Sequence, residues 1–200
     1  MRLPTMRCGP LAGDLVLVLG AAGGVGLAAV ELAVVLRGRV IAAASSDEKL
    51  ALCRERGAEL TINYAQTDLR GRLRELVPEG VDIVIDPVGG PYAEQALRAV
   101  RWKGRFVTVG FASGEIPRIP LNLVLLKECI VKGFEIRTFA RVEPELAARD
   151  ERELIELLSS GRVKPHISAM YDMDHAAEAL SAVAGRRSTG KVLLRMLGPS

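Results

Sequence analysis

Aromatic residues make up only 4% of this 200-residue sequence, with two histidines and three cysteines. Each shortage removes a class of protein. His166 and His175 stand alone, and Cys8, Cys53 and Cys129 are far apart, so the paired spacing of a structural zinc site is missing. An odd, scattered set of cysteines reads as reduced thiols, mostly buried filler, in a cytoplasmic chain rather than as a disulfide framework. Long apolar runs are missing too. Arg, Glu, Lys or Gly interrupts each one before it reaches the length of a membrane span. Met1 to Pro10 contains Arg2 and Arg7 and no apolar h-region, and is not read as a secretory leader. The net charge is only +3 and the arginines form no stripe, which leaves no footprint for nucleic acid.

What is present is a globular composition, 49% apolar and 26% charged, rich in Ala, Val, Leu and Gly. Its pattern alternates. Leu15 to Leu19, Arg39 to Ala44, Leu60 to Asn63, Val81 to Asp86 and Gly104 to Val109 are apolar runs of strand length. Between them Val25 to Leu36, Ser46 to Arg56, Asp68 to Val77 and Pro91 to Val100 read as helices, closed by Gly38, Gly57, Pro78 and Gly80. Strands apolar on both faces and separated by helices predict an α/β domain with a doubly wound parallel sheet. After Gly110 the rhythm changes. Phe111 to Pro120 is loop-like, Leu121 to Lys127 a short helix, Ile130 to Phe134 a sixth strand and Glu145 to Ser159 an amphipathic helix. The tail offers an extended segment near His166, a helix from Asp174 to Val183 and a strand from Val192 to Arg195.

The strongest chemical signal is Gly20-Ala21-Ala22-Gly23-Gly24-Val25-Gly26, between the first strand and the first helix. Glycines let the backbone approach a pyrophosphate, and a helix N-terminus supplies free N–H groups and partial positive charge. Gly26 lets helix and strand pack closely, while Ala21 replaces the first glycine of the usual G-x-G-x-x-G pattern. No Lys-Ser or Lys-Thr follows, against a Walker-type loop. The second strand ends in Ala44-Ser45-Ser46, with Lys49 beyond. Hydroxyls and an ammonium suit an adenosine 2′-phosphate, so NADPH is preferred to NADH. Asp47 complicates this, and reads as a first-turn residue favoured by the helix dipole. Glu151 and Glu153 belong to an exposed helix face and Asp86 ends its strand with backbone bonds, so no catalytic residue is named.

In order along the chain, these segments resemble the medium-chain dehydrogenase/reductase superfamily, in its zinc-free, zeta-crystallin-like NADPH:quinone oxidoreductase branch. The likeness rests on Ala21-Ala22-Gly23-Gly24-Val25-Gly26, Ser46-Asp47-Glu48-Lys49, Ile62-Asn63-Tyr64, Asp86-Pro87-Val88-Gly89-Gly90, Gly104 to Phe111 and Gly190-Lys191-Val192-Leu193-Leu194. It implies that Gly23, Gly24 and Val25 hold the pyrophosphate, and that Ser46, Lys49 and Tyr64 line the 2′-phosphate. Val88, Gly110, Phe111 and Ala112 would flank the nicotinamide, and Arg186 would reach the cofactor phosphate. It also implies hydride transfer to a quinone or enone, and a homodimer paired through the sixth-strand edge, Ile130 to Phe134. On this reading residues 11–165 are the Rossmann domain. Residues 166–200 belong to a catalytic domain that relatives carry ahead of it and this chain largely lacks, leaving an apolar face uncovered. Phe134-Glu135-Ile136-Arg137-Thr138 departs from the family's glycine- and aromatic-rich strand end. Two other readings stay open: a nucleotide-binding module without turnover, and an enoyl or alkenal reductase.

Overall fold

The computed structural model describes residues 12–186 and 188–196, so the readings of Met1 to Pro10, of Cys8 and of a domain start at Leu11 lie outside the described residues. Five βα units open the chain: β1 (Leu15–Leu19), α1 (Gly24–Val35), β2 (Arg39–Ala44), α2 (Asp47–Glu55), β3 (Leu60–Asn63), α3 (Leu69–Leu76), β4 (Val81–Asp86), α4 (Pro91–Ala99), β5 (Val100–Thr108) and α5 (Leu121–Lys127). There follow β6 (Ile130–Gly133), α6 (Ile136–Val142), α7 (Pro144–Ser159), β7 (Ile167–Asp172), α8 (Ala176–Ala184) and β8 (Lys191–Arg195). The first six strands form one sheet in the order β3-β2-β1-β4-β5-β6, every pair parallel. This is the doubly wound Rossmann arrangement, and the strand order reverses between β1 and β4.

Period-two alternation within continuous apolar strands builds two cores, one on each face. Leu17, Leu19, Ile41 and Val84 pack with Leu69 and Leu73 of α3 and Ala96 and Leu97 of α4. Val16, Val18, Val40 and Ala42 face the other way, onto Leu27 and Val30 of α1 and Leu50 and Cys53 of α2. The expected boundaries of β1 to β4 and their helices agree with the structure to within a residue or so at each helix end.

Two expectations need correction. β5 begins at Val100 rather than Gly104, and the strand runs through an irregularity opposite Val81 and Ile83. Lys103 takes φ +60° there, and a Cβ at Gly104 would come within 2.5 Å of the Val100 side chain, so Arg-Trp-Lys-Gly makes a bulge, not a turn. Arg101 anchors it by pairing with Asp82, whose other carboxylate oxygen accepts the Leu15 N–H at 2.9 Å. β6 stops at Gly133, and the following segment is the helix α6 rather than a strand end. Glu135 caps that helix, accepting from the N–H groups of Arg137 and Thr138 at 3.0 and 2.7 Å, and Phe134 folds onto Phe139. The tail forms a separate two-stranded parallel sheet, β7 beside β8, with a 3-10 turn at Met173–His175 leading into α8.

Candidate functional site

The carboxyl ends of β1, β2, β4 and β5 converge where the strand order reverses, the place where open α/β sheets bind ligands. Gly20 turns the chain out of β1 at φ +56°, with a Cβ there 2.7 Å from the Val88 side chain. Ala21 and Ala22 are buried, so the methyl that replaces the usual first glycine is part of the core. At Gly26 a Cβ would sit 2.2 Å from the Gly20 carbonyl oxygen and 2.8 Å from the Ala21 Cα, which makes close helix–strand contact the reason for that glycine. Gly23 is the N-cap of α1 in extended conformation. No side chain caps the helix, no acid lies in its first turn, and the first bond back to the cap is Leu27 N–H to Gly23 O at 2.8 Å. The N–H groups before it therefore point outward without intrahelical partners. A Cβ at Gly24 would meet the Gly190 carbonyl at 3.0 Å and the Lys191 ammonium at 3.1 Å. A cationic side chain thus stands over a bare helix N-terminus, a combination suited to a phosphate.

The second corner lies between β2 and α2. Ser46 is the N-cap, its hydroxyl accepting the Lys49 N–H at 3.3 Å. The Lys49 ammonium donates to Ser45 Oγ at 3.3 Å and to the Arg186 carbonyl at 2.8 Å. Arg186, at φ +55°, extends its guanidinium to the carbonyls of Ala112 and Ser113 at 3.2 and 3.3 Å. Asp47 is held at the helix start by Asn63, whose amide donates to it at 2.9 Å, which supports its reading as a first-turn residue. Tyr64 stacks on Tyr92 with ring centres 4.3 Å apart. Burial pushes its phenol above the ordinary tyrosine value, Tyr92 adds to the rise and Arg186 opposes it, so the hydroxyl remains a donor at neutral pH.

Asp86 closes the floor. Fully buried, it accepts the N–H groups of Val88 and Gly89 at 2.8 Å each through Oδ1, as the backbone-bonding reading expects. Its Oδ2 has no hydrogen-bond partner among the described residues. Burial, the larger influence, raises its carboxyl above the usual carboxylate range despite those two bonds. The strand ends are then laced together. Val109 N–H reaches Asp86 O at 2.8 Å, Ala112 N–H reaches Pro87 O at 3.0 Å and Ser113 N–H reaches Val88 O at 2.9 Å. Val88, Gly110, Phe111 and Ala112 thereby come to one rim, with Phe111 partly exposed above Gly89.

The expected residues lie in a groove at the carboxyl end of the sheet: Gly23, Gly24 and Val25 follow β1, Ser46 and Lys49 follow β2, Tyr64 follows β3, Val88 follows β4, and Gly110, Phe111 and Ala112 follow β5. Arg186 lies between Lys49 and the last of these groups, its carbonyl on the Lys49 ammonium and its guanidinium on the carbonyls of Ala112 and Ser113. Sequence reasoning quoted Lys191 within the tail but gave it no role, because only the fold carries it back to Gly24. His175 is exposed, and burial lifts the Cys53 thiol to about 11, so it remains protonated at neutral pH. Among the described residues no group of three or more His, Cys, Asp and Glu side chains comes together. A separate hollow of about 580 Å³ lies under β7, β8 and α8, lined by Ser168, Tyr171, Glu178 and Val192 among others. It lacks both the cations and the open helix N-terminus of the groove, which is the better candidate.

Among the described residues no helix is long and apolar enough to cross a membrane. Residues 24–160 match the zinc-binding dehydrogenase family. The chain is 39% identical over 186 residues to Quinone oxidoreductase-like protein 2 of Bos taurus, covering 92% of this chain and 53% of that protein. A mycobacterial protein solved with NADPH superimposes with a TM-score of 0.84 at 29% identity, over 93% of this chain and 58% of that one. Escherichia coli quinone oxidoreductase, also solved with NADPH, gives 0.83 at 28% identity, over 92% and 57%. The chain spans about half the length of the curated relatives it matches. With the glycine turn, the strand order and these likenesses in agreement, the chain belongs to the medium-chain dehydrogenase/reductase superfamily, in the zinc-binding dehydrogenase family and among its quinone oxidoreductase-like members.

Proposed function

We propose that this chain is the nucleotide-binding part of an NADPH-dependent oxidoreductase that reduces a quinone or enone. The observation that carries the reading is the uncapped, acid-free first turn of α1 with the Lys191 ammonium over Gly24. Gly23, Gly24 and Val25 would hold the pyrophosphate, Gly24 and Val25 through main-chain N–H groups and Gly23, whose N–H donates to the Gly20 carbonyl at 3.0 Å, by letting the backbone approach closely, with Lys191 neutralising its charge. Ser46, Lys49, Tyr64 and Arg186 form the end suited to a 2′-phosphate. Asp47 is turned toward Asn63, whose amide donates to its Oδ1, which supports its role at the helix start. Val88, Gly110, Phe111 and Ala112 would support the nicotinamide, largely through backbone. Bound there, a reduced nicotinamide supplies a hydride to an electron-poor ring or enone; the protein positions it and excludes water.

The donor set supports a zinc-independent reaction, since two histidines and three separated cysteines do not make a paired ligand motif. The reducing environment that such cysteines suit is the cytoplasm. Residues 11–165 serve as the dinucleotide-binding domain, and 166–200 as a segment that packs on the catalytic half found in relatives. The open edge of β6, exposed from Val131 to Gly133, is the surface for pairing with a second copy. Light scattering that finds only monomer overturns that pairing.

Calorimetry with NADPH and NADH tests the binding reading. NADPH should bind more tightly. Lys49→Ala should weaken NADPH by about 10-fold, the scale of one charged hydrogen bond, and leave NADH nearly unchanged. No heat with either nucleotide overturns the assignment. Turnover with menadione, beside crotonyl thioesters and alkenals, then separates a quinone reductase from an enoyl or alkenal reductase, and binding without oxidation indicates a module without turnover.

A further inference from the structure

Lys191 reaches Gly24 only because the chain around it is docked on the Rossmann unit, and one side chain, Arg56, holds that docked segment at two points. Arg56, the C-cap of α2, donates through Nη1 to Glu31 Oε1 on α1 at 2.5 Å and to the Lys164 carbonyl at 2.7 Å. Its Nη2 lies 3.5 Å from His166 Nδ1. The far side of that ring, Nε2, contacts Thr189 Oγ1 at 3.2 Å, and the His166 carbonyl accepts the Lys191 N–H at 2.8 Å. Gly190 fits into this contact only without a side chain, since a Cβ there would lie 2.3 Å from the same carbonyl. Its N–H then donates to Ala22 O, inside the glycine turn, at 2.8 Å.

The pair at the base of this chain is well shielded. The side chains of Glu31 and Arg56 are 9% and 24% exposed. A partly buried carboxylate needs its cation, so Arg56 is held firmly and can in turn hold the loop. The anchor stands roughly 10 Å along the α1 axis from Gly24, at 1.5 Å per residue. Arg56 itself is therefore far from the groove and touches no part of it.

We infer that Arg56 is a positioning residue for nucleotide binding. By bridging Glu31 to Lys164 and His166 it sets the seat of His166, Gly190 and Lys191, which keeps the Lys191 ammonium over the first turn of α1. The inference rests on the pyrophosphate reading of that turn, and it assigns affinity to a residue outside the groove.

The test is a double-mutant cycle on NADPH affinity, measured by calorimetry on the full chain with melting temperatures recorded alongside. Arg56→Met and Lys191→Met should each weaken binding about 10-fold, the scale of one ammonium–phosphate contact. The double variant should bind within about twofold of either single variant, because both remove the same contact. Loss of stability alone would not produce that coupling. Losses that multiply, or NADPH binding unchanged in Arg56→Met, overturn the inference. Where Arg56→Met does not fold, His166→Gln takes its place in the same cycle, leaving the Glu31 pair intact, with the same two outcomes. Absence of binding by the unmodified chain instead overturns the nucleotide reading, and this inference with it.

Discussion

The first strand and the last both carry a run of apolar residues, Leu15-Val16-Leu17-Val18-Leu19 and Val192-Leu193-Leu194, yet their surroundings are opposite. Val16 to Leu19 are sealed between two helical layers, whereas Leu193 and Leu194 are 37% and 40% exposed. The contrast extends to whole regions. Helices α1 to α4 each bury residues against the sheet, while α6 and α7 bury none, and Ile167, Met170, Leu180, Val183 and Met196 are open to solvent. Burial is a property of the partner an apolar residue finds, so the same residue types contribute very differently to stability. The first region closes its own core, with its groove at one end. The second leaves its apolar residues on the surface.

This comparison can be broken by mutation. Leu17→Ala should cost about 2–5 kcal/mol in urea unfolding, because the site is enclosed and cannot collapse. Leu193→Ala should cost no more than about 0.5 kcal/mol, the usual scale for an exposed position. Equal losses would mean that β8 is covered in solution, by a second copy or otherwise. A smaller contrast uses glycines. Gly26→Ala, whose methyl would collide with the Gly20 carbonyl, should destabilise by about 1–3 kcal/mol and abolish nucleotide binding. Gly133→Ala on β6, where a Cβ meets nothing within 4 Å, should be silent in melting temperature.

The smallest effect concerns pH. The Asp86 carboxyl is raised in the folded chain, so its contribution to stability is fully present below the unfolded value and is lost as pH rises through the folded one. Asp86→Asn keeps an acceptor for Val88 and Gly89 and removes the charge. Denaturant titrations at several pH values should show the variant gaining on the unmodified chain from about pH 4 upward. Parallel curves would mean that Asp86 carries its charge in the fold without penalty.

Much of the first region was legible because its signals are local. Largely apolar runs four to six residues long, separated by helical stretches and stopped by Gly38, Gly57 and Gly80, leave few alternatives to a parallel sheet covered on both faces. The glycine turn was legible for the same reason. β5 and α6 were harder. Arg101-Trp102-Lys103-Gly104 has the composition of a turn, and only pairing with β4 and the Arg101–Asp82 contact keep it in the strand. Glu135 is an unusual cap, and nothing before Pro144 announces α6.

The site divides along the same line. Gly23, Gly24, Val25, Ser46 and Lys49 stand beside the elements that create their roles, so their spacing alone marked them. Lys191, Arg56 and the contact of Lys49 with the Arg186 carbonyl join residues between 108 and 167 positions apart, roughly counted, and no local pattern carries such a pairing. The amino-acid order alone determined the strands and helices of the first four βα units and the bare helix N-terminus, because each depends on side chains within a few residues. Which cation faces that N-terminus was decided only by tertiary folding, because the packing of a distant loop on α1 and α2 determines where Lys191 ends.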